Sequence, residues 1–106
     1  MKAYKYIYKI TYPNGKIYIG SDTTGNNLMY FGSPTREYIE EDFEKDYPWE
    51  KQQELVIKKN ILEYFENISD QELRSKETEY IIKFCSNNPK IGYNLKPKFL
   101  EVETNA

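Results

Sequence analysis

Two alternating runs between Tyr4 and Gly20 flank Pro13-Asn14-Gly15, and the turn made there decides which side chains can share a face of any sheet. Tyr4, Tyr6, Tyr8, Ile10 and Tyr12 fall at every second position, with Lys5, Ile7, Lys9 and Thr11 between them. This is the period of a strand, whose successive side chains point to opposite faces. Aromatic and β-branched residues also suit a pleated surface. A two-residue type I′ turn at Asn14-Gly15 leaves Pro13 as the last strand residue, where its missing N–H forfeits the bond that closes the turn. A three-residue loop instead sets Pro13 and Asn14 at the centre of a type I turn and gives Gly15 the left-handed position of a G1 bulge. Proline is pre-set for that first central position, so the three-residue loop is preferred. It pairs Tyr12 with Lys16, Ile10 with Tyr18 and Tyr8 with Gly20. Tyr8 and Tyr18 then lie diagonally on one face, beside a glycine that offers no side-chain cover. The other register separates them.

Composition narrows the chemistry. A chain of 106 residues supports one domain with a modest core. No apolar run is long enough to span a bilayer, and no signal-peptide pattern is present, so a soluble, cytoplasmic protein that meets no membrane is expected. The single cysteine, Cys85, excludes an internal disulfide and fits a reducing compartment. Histidine is absent altogether. That removes Ser-His and Cys-His nucleophile–base pairs, His-dependent acid chemistry and any ordinary zinc site. Catalysis would fall to carboxylates, tyrosines, lysines, arginines and a hard metal ion. The net charge of −2 is unevenly spread. Residues 1–33 set four lysines against Asp22, whereas residues 37–54 set eight acidic residues against Lys45 and Lys51. A solvated helix face is the ordinary explanation of the acidic block.

Further along, residues 21–34 are rich in Gly, Ser, Thr and Asn and read as a loop. Ser33-Pro34-Thr35 marks a helix start, and Tyr38, Ile39 and Phe43 share one side of a helix over about 35–45, before Pro48. Residues 55–65 form a β-rich run, expected as a third strand. Ser69-Asp70-Gln71-Glu72 is a capping box that opens a helix to about Phe84 or Cys85, stopped by Asn87-Asn88-Pro89. Residues 91–95 are a short extended piece, and 96–106 are expected as a loose tail.

The second helix carries Leu73, Tyr80, Ile81 and Phe84 on one face, and Glu77 occupies the remaining position of that stripe. Glu72 and Glu79 lie outward with Lys76 and Lys83. A carboxylate aimed at a core needs a partner or a metal, because burial unpaired is costly. The structural alternative is a Glu77 at the stripe's edge that snorkels or bonds a buried tyrosine hydroxyl.

Tyr6-Ile7-Tyr8, followed ten residues after Tyr8 by Tyr18-Ile19-Gly20, resembles the signature of the GIY-YIG endonuclease domain. A helical Glu77 four residues before Ile81, and Gly92-Tyr93-Asn94 near the end, extend the likeness over roughly residues 4–95. The resemblance implies an α+β fold, a small three-stranded antiparallel sheet flanked by helices, with residues 1–95 as the domain. It implies a metal-dependent endonuclease that hydrolyses DNA phosphodiester bonds. Carried over by position, Tyr8 and Tyr18 are the paired active-site tyrosines, Glu77 holds Mg²⁺ or Mn²⁺, and Asn94 orders the site. Tyr8 is assigned as the base or its relay and Tyr18 as a positioning donor. The family's helical arginine falls here on Leu28, so Arg36, or Lys58 or Lys59, is expected to supply that cation. Lys9, Lys16 and Gly20 complete the candidate substrate contacts. No DNA-reading domain is expected beside this one, so specificity would come from self-association or a partner protein, or be absent. The competing function is a catalytically silent domain of the same fold that binds nucleic acid or protein.

Overall fold

The Pro13-Asn14-Gly15 loop turns the chain as the three-residue arrangement requires. Gly15 N–H donates to Tyr12 O and Tyr12 N–H to Lys16 O, each at 2.9 Å, with Gly15 at φ +86°. Asn14 Oδ1 accepts from Lys16 N–H at 3.0 Å and ties the turn to the returning strand. Tyr8 faces Gly20 and Ile10 faces Tyr18, as expected.

The computed structural model describes residues 4–25, 30–32, 34–46 and 55–100. Its elements are β1 (Lys5–Thr11), β2 (Ile17–Asp22), α1 (Arg36–Asp46), β3 (Lys58–Phe65) and α2 (Asp70–Phe84). The strands form one antiparallel sheet in the order β2-β1-β3. The expected α+β architecture is therefore present.

Strand alternation splits β1 between two cores. Tyr6, Tyr8, Ile10 and Tyr12 are buried on one face with Tyr93, covered by Tyr18, Ile61 and the α1 residues Ile39 and Phe43. Ile7 and Ile19 are buried on the other with Leu73 and Ile81 of α2. Burying an aliphatic side chain of this size contributes about 1.5–3 kcal/mol, so β1 is held from both sides.

Several boundaries differ from the sequence expectation. Leu55, Val56 and Ile57 are exposed and precede β3. Lys58 is the residue that meets Thr11, the last of β1, so no ladder partner remains for the three before it. Tyr38 is 49% exposed and does not join Ile39 and Phe43 in the core. Tyr4 is also exposed, and rests edge-on against Tyr64. At the start of α2, Glu72 N–H donates to Ser69 Oγ at 3.1 Å, the serine half of the capping box. The helix stops at Cys85, which takes the left-handed conformation (φ 56°) that returns the last amides to Ile81 and Ile82. The stop thus precedes Asn87 and Pro89. Ser33, Leu28, Pro48 and the remainder of 47–54 lie outside the described residues.

Residues 91–94 then cover the outer edge of β2. Ile17 N–H donates to Ile91 O and Tyr93 N–H to Ile17 O. Gly92 bridges Ile17, and a Cβ there would come within 2.6 Å of Ile17 O. The expected tail starts differently from a loose end: Asn87 Nδ2 donates to Pro97 O at 2.9 Å, and Phe99 is partly buried. Residues 101–106 lie outside the described residues.

Candidate active site

Tyr8 belongs to the central strand, yet its ring reaches the sheet edge because the residue across from it is Gly20. A Cβ at Gly20 would overlap the Tyr8 hydroxyl and ring. Gly32 closes the same space from above. A Cβ there would lie 2.6 Å from Tyr18 Cε1 and 2.7 Å from the Tyr8 hydroxyl, at a φ of +85° that itself favours glycine. Two glycines from different parts of the chain therefore admit the tyrosine pair.

Glu77 approaches the same edge from the opposite face of the sheet, on α2. It is half-buried, and its Oε2 accepts from Ser21 Oγ at 2.6 Å, one residue beyond Gly20. A cavity of about 310 Å³ is lined by Tyr18, Glu77 and Asn94. Tyr8 lies behind this cavity, 1% exposed. The Glu77 charge nevertheless acts on the Tyr8 phenol. The expectation that Glu77 turns inward holds only in part, since its partner is a serine at the sheet edge.

Asn94 is a positioning residue. Its Oδ1 accepts from Ile19 N–H at 2.9 Å and its Nδ2 donates to Ile19 O at 2.8 Å, so the side-chain amide pairs β2 as a strand would. Ile19 separates Tyr18 from Gly20, so this clamp sets where both stand.

The cations are distributed differently from the sequence expectation. Lys59, on the tyrosine face of β3, lies 4.9 Å from the Tyr6 ring and 4.8 Å from the Tyr8 ring. Its ammonium donates to Tyr6 Oη at 2.9 Å and to Tyr30 O. Tyr6 in turn donates to Asp22 Oδ2 at 3.0 Å. Burial lowers the Lys59 ammonium, with Asp22 opposing. Burial alone would raise the Asp22 carboxyl. Hydrogen bonds from the Thr24 hydroxyl and amide and from Tyr6, with the Lys59 charge, hold it below the usual carboxylate range.

The remaining candidates are placed elsewhere. Lys9 stands over the Phe84 ring at 5.1 Å, on the α2 face. Lys16 is bound to Asp42 at 2.7 Å. Lys58 is exposed at the opposite end of β3 from Phe65. Arg36 opens α1 with its side chain 86% exposed and paired to Glu40 at 2.6 Å, beside the cavity that contains Gly32 rather than the one that contains Glu77. Its guanidinium is raised further by the Glu40 hydrogen bond and charge.

The groups around Tyr8 favour the protonated form of its hydroxyl. Burial raises its pKa first, and Tyr30, Tyr18 and Glu77 add to that, which favours the neutral phenol. Lys59 meets the ring face and leaves the hydroxyl to Tyr30. Sequence reasoning passed over Ser21, Asp22, Tyr30 and Gly32. Ser21 and Asp22 continue the strand alternation directly after Gly20, and that signal was legible. Tyr30 and Gly32 sit in a loop with no local period.

Among the described residues no cluster of three or more His, Cys, Asp or Glu gathers for a metal. The donor set at Glu77 is a single carboxylate with one oxygen taken by Ser21. Magnesium suits such a set, because it binds through one or two carboxylates and fills its other positions with waters and phosphate oxygens. No helix among the described residues is long and apolar enough to cross a membrane. No family model, curated protein or solved structure matches this chain.

Proposed function

We propose that this chain is a GIY-YIG-type endonuclease domain that hydrolyses a DNA phosphodiester with a divalent ion, Mg²⁺ or Mn²⁺, held by Glu77. The observation that carries the proposal is the meeting at the β2 edge of Tyr18, the Tyr8 ring laid over Gly20, and a carboxylate from the other face of the sheet. A bound ion there would neutralise phosphate charge and acidify a water. The protein groups then divide the remaining work. Tyr18, which lines the Glu77 cavity, donates a hydrogen bond to the phosphate as charge develops in the transition state. Tyr8 stays a neutral phenol and fixes Tyr18 from behind. Ser21 orients the Glu77 carboxylate, and Asn94 holds the strand that presents Tyr18.

Nicking of supercoiled DNA in Mg²⁺ tests the assignment. Glu77→Gln is expected to abolish nicking. Tyr18→Phe should lose about 10²–10³-fold in rate, the usual cost of one transition-state donor, and Tyr8→Phe should lose less. Undiminished nicking by Glu77→Gln would falsify the metal-ligand role. Binding without cleavage is the second function the geometry favours, because Lys59 and Arg36 are already engaged by protein groups. Retention of a DNA duplex with no nicking under any divalent ion would select it.

A further inference from the structure

The Glu77 cavity does not end at Tyr18. A second cavity of about 520 Å³ continues past Ser21 and is lined by Arg74 and Pro97. Glu77, Ile81 and Lys96 belong to both. The two spaces make one groove between α2 and residues 93–97, past the Ser21 end of β2, with a carboxylate and two cations in its lining. Arg74 stands three residues before Glu77 on α2, a spacing that puts both on one helix side. Lys96 follows two residues after Asn94, whose paired bonds to Ile19 anchor that stretch.

Glu77 takes its hydrogen bond from Ser21 and closes on neither cation. Among the described residues Arg74 and Lys96 enter no ion pair, although the Arg74 charge is felt by Asp70 one turn earlier. A carboxylate flanked by two cations that it does not bind leaves room for something between them. What complements that arrangement is an anion on the cations that reaches the carboxylate through a divalent ion, the charge pattern of a phosphodiester backbone. With a net charge of −2 the molecule as a whole does not draw in a phosphate backbone, so local cations must do so.

We infer that Arg74 and Lys96 bind the phosphates that flank the scissile one, so that the nucleic-acid strand runs between α2 and residues 93–97 across Glu77. This rests on the endonuclease proposal and names where the substrate backbone lies. Such contacts carry no sequence information; they set register and affinity.

Binding of a short mixed-sequence DNA duplex, followed from roughly 50 to 200 mM salt, tests the inference. Ca²⁺ serves as the divalent ion, and nicking in Mg²⁺ is scored in parallel. Arg74→Gln and Lys96→Gln should each flatten the dependence of log affinity on log salt by about 0.9, and the double variant by about twice that. The loss should be equal for unrelated sequences. Arg74→Lys with Lys96→Arg should keep the wild-type slope, which a merely structural disturbance would not predict. Lys76→Gln, on the same helix but paired with Glu79, should also leave it unchanged. A double Gln variant with the wild-type slope overturns the inference while leaving the nuclease proposal standing if nicking persists. A wild-type protein that neither binds nor nicks the duplex overturns both.

Discussion

Gly20 and Asn94 decide the site at the scale of single residues, one by what it lacks and the other by what it pairs. Gly20 has an ordinary strand φ, so a substitution there strains no backbone, and the nearest atoms an added Cβ meets are those of the Tyr8 hydroxyl and ring. Gly20→Ala is therefore expected to cost about 1–3 kcal/mol, the range for overpacking a filled core, and to depress nicking by displacing Tyr8. Urea denaturation measured beside the nicking rate checks both effects. Asn94→Asp probes the other case. The carboxylate still accepts from Ile19 N–H but turns a second oxygen toward Ile19 O in place of the lost donor. The variant should be less stable than wild type near neutral pH, by about 1–3 kcal/mol for a buried group left unsatisfied. Protonation at acid pH restores a donor and should narrow the gap. A gap that is constant with pH would count against this pairing.

Among the elements, α1 is tied to the sheet by a polar network as well as by Ile39 and Phe43. Asp42 accepts from Lys16 Nζ and from Tyr93 Oη, both at 2.7 Å, while Asn14 Nδ2 donates to Tyr93 Oη at 2.9 Å. The acidic block of the sequence is thus a solvated helix face over residues 37–45, with Asp42 turned inward to the hairpin. Burial alone would raise the Asp42 carboxyl, but the hydrogen bonds from Lys16 and Tyr93 and the nearby lysine charges hold it low. Asp22 is held low in the same way. A carboxyl depressed in the folded state adds stability above its unfolded value of about 3.9. That stability disappears as pH falls through the lower folded value. Unfolding free energy should fall as the pH drops below about 4. Asp42→Asn should be weaker than wild type at neutral pH and lose less on acidification. Thermal melts across pH 2–7, a window set by these carboxyls, give the comparison.

Across the whole molecule, one sheet separates two cores, and the candidate site lies at the edge where they meet. Tyr8 and Tyr18 arise on the α1 face and Glu77 on the α2 face. They converge only because β2 is an edge strand whose Gly20 lets Tyr8 across and whose Ser21 takes Glu77. Local patterns carried much of this. The Pro13-Asn14-Gly15 turn and the alternation of β1 made the hairpin register legible, because both depend on neighbours in the chain. The Ser69 cap marked the start of α2 for the same reason. The exposure of Leu55, Val56 and Ile57 ahead of β3, and that of Tyr38, depend on contacts made across the fold, and no local period encodes them.

Taken alone, the sequence determined which tyrosines share a face, where the second helix begins, and that histidine chemistry is excluded. It also put Glu77 in the apolar stripe of that helix, where the structure has it half-buried with Ser21 as its partner. Tertiary structure decided the rest. Asn94 serves as a backbone clamp, Tyr8 is buried with its hydroxyl pKa raised, and Lys59 packs on rings beneath Tyr30. Arg36 faces solvent, while Arg74 and Lys96 stand in the groove. The reason is physical: strand and helix periods act over a few residues, whereas burial, pKa and the company a charge keeps are set by groups that the chain brings together from far apart.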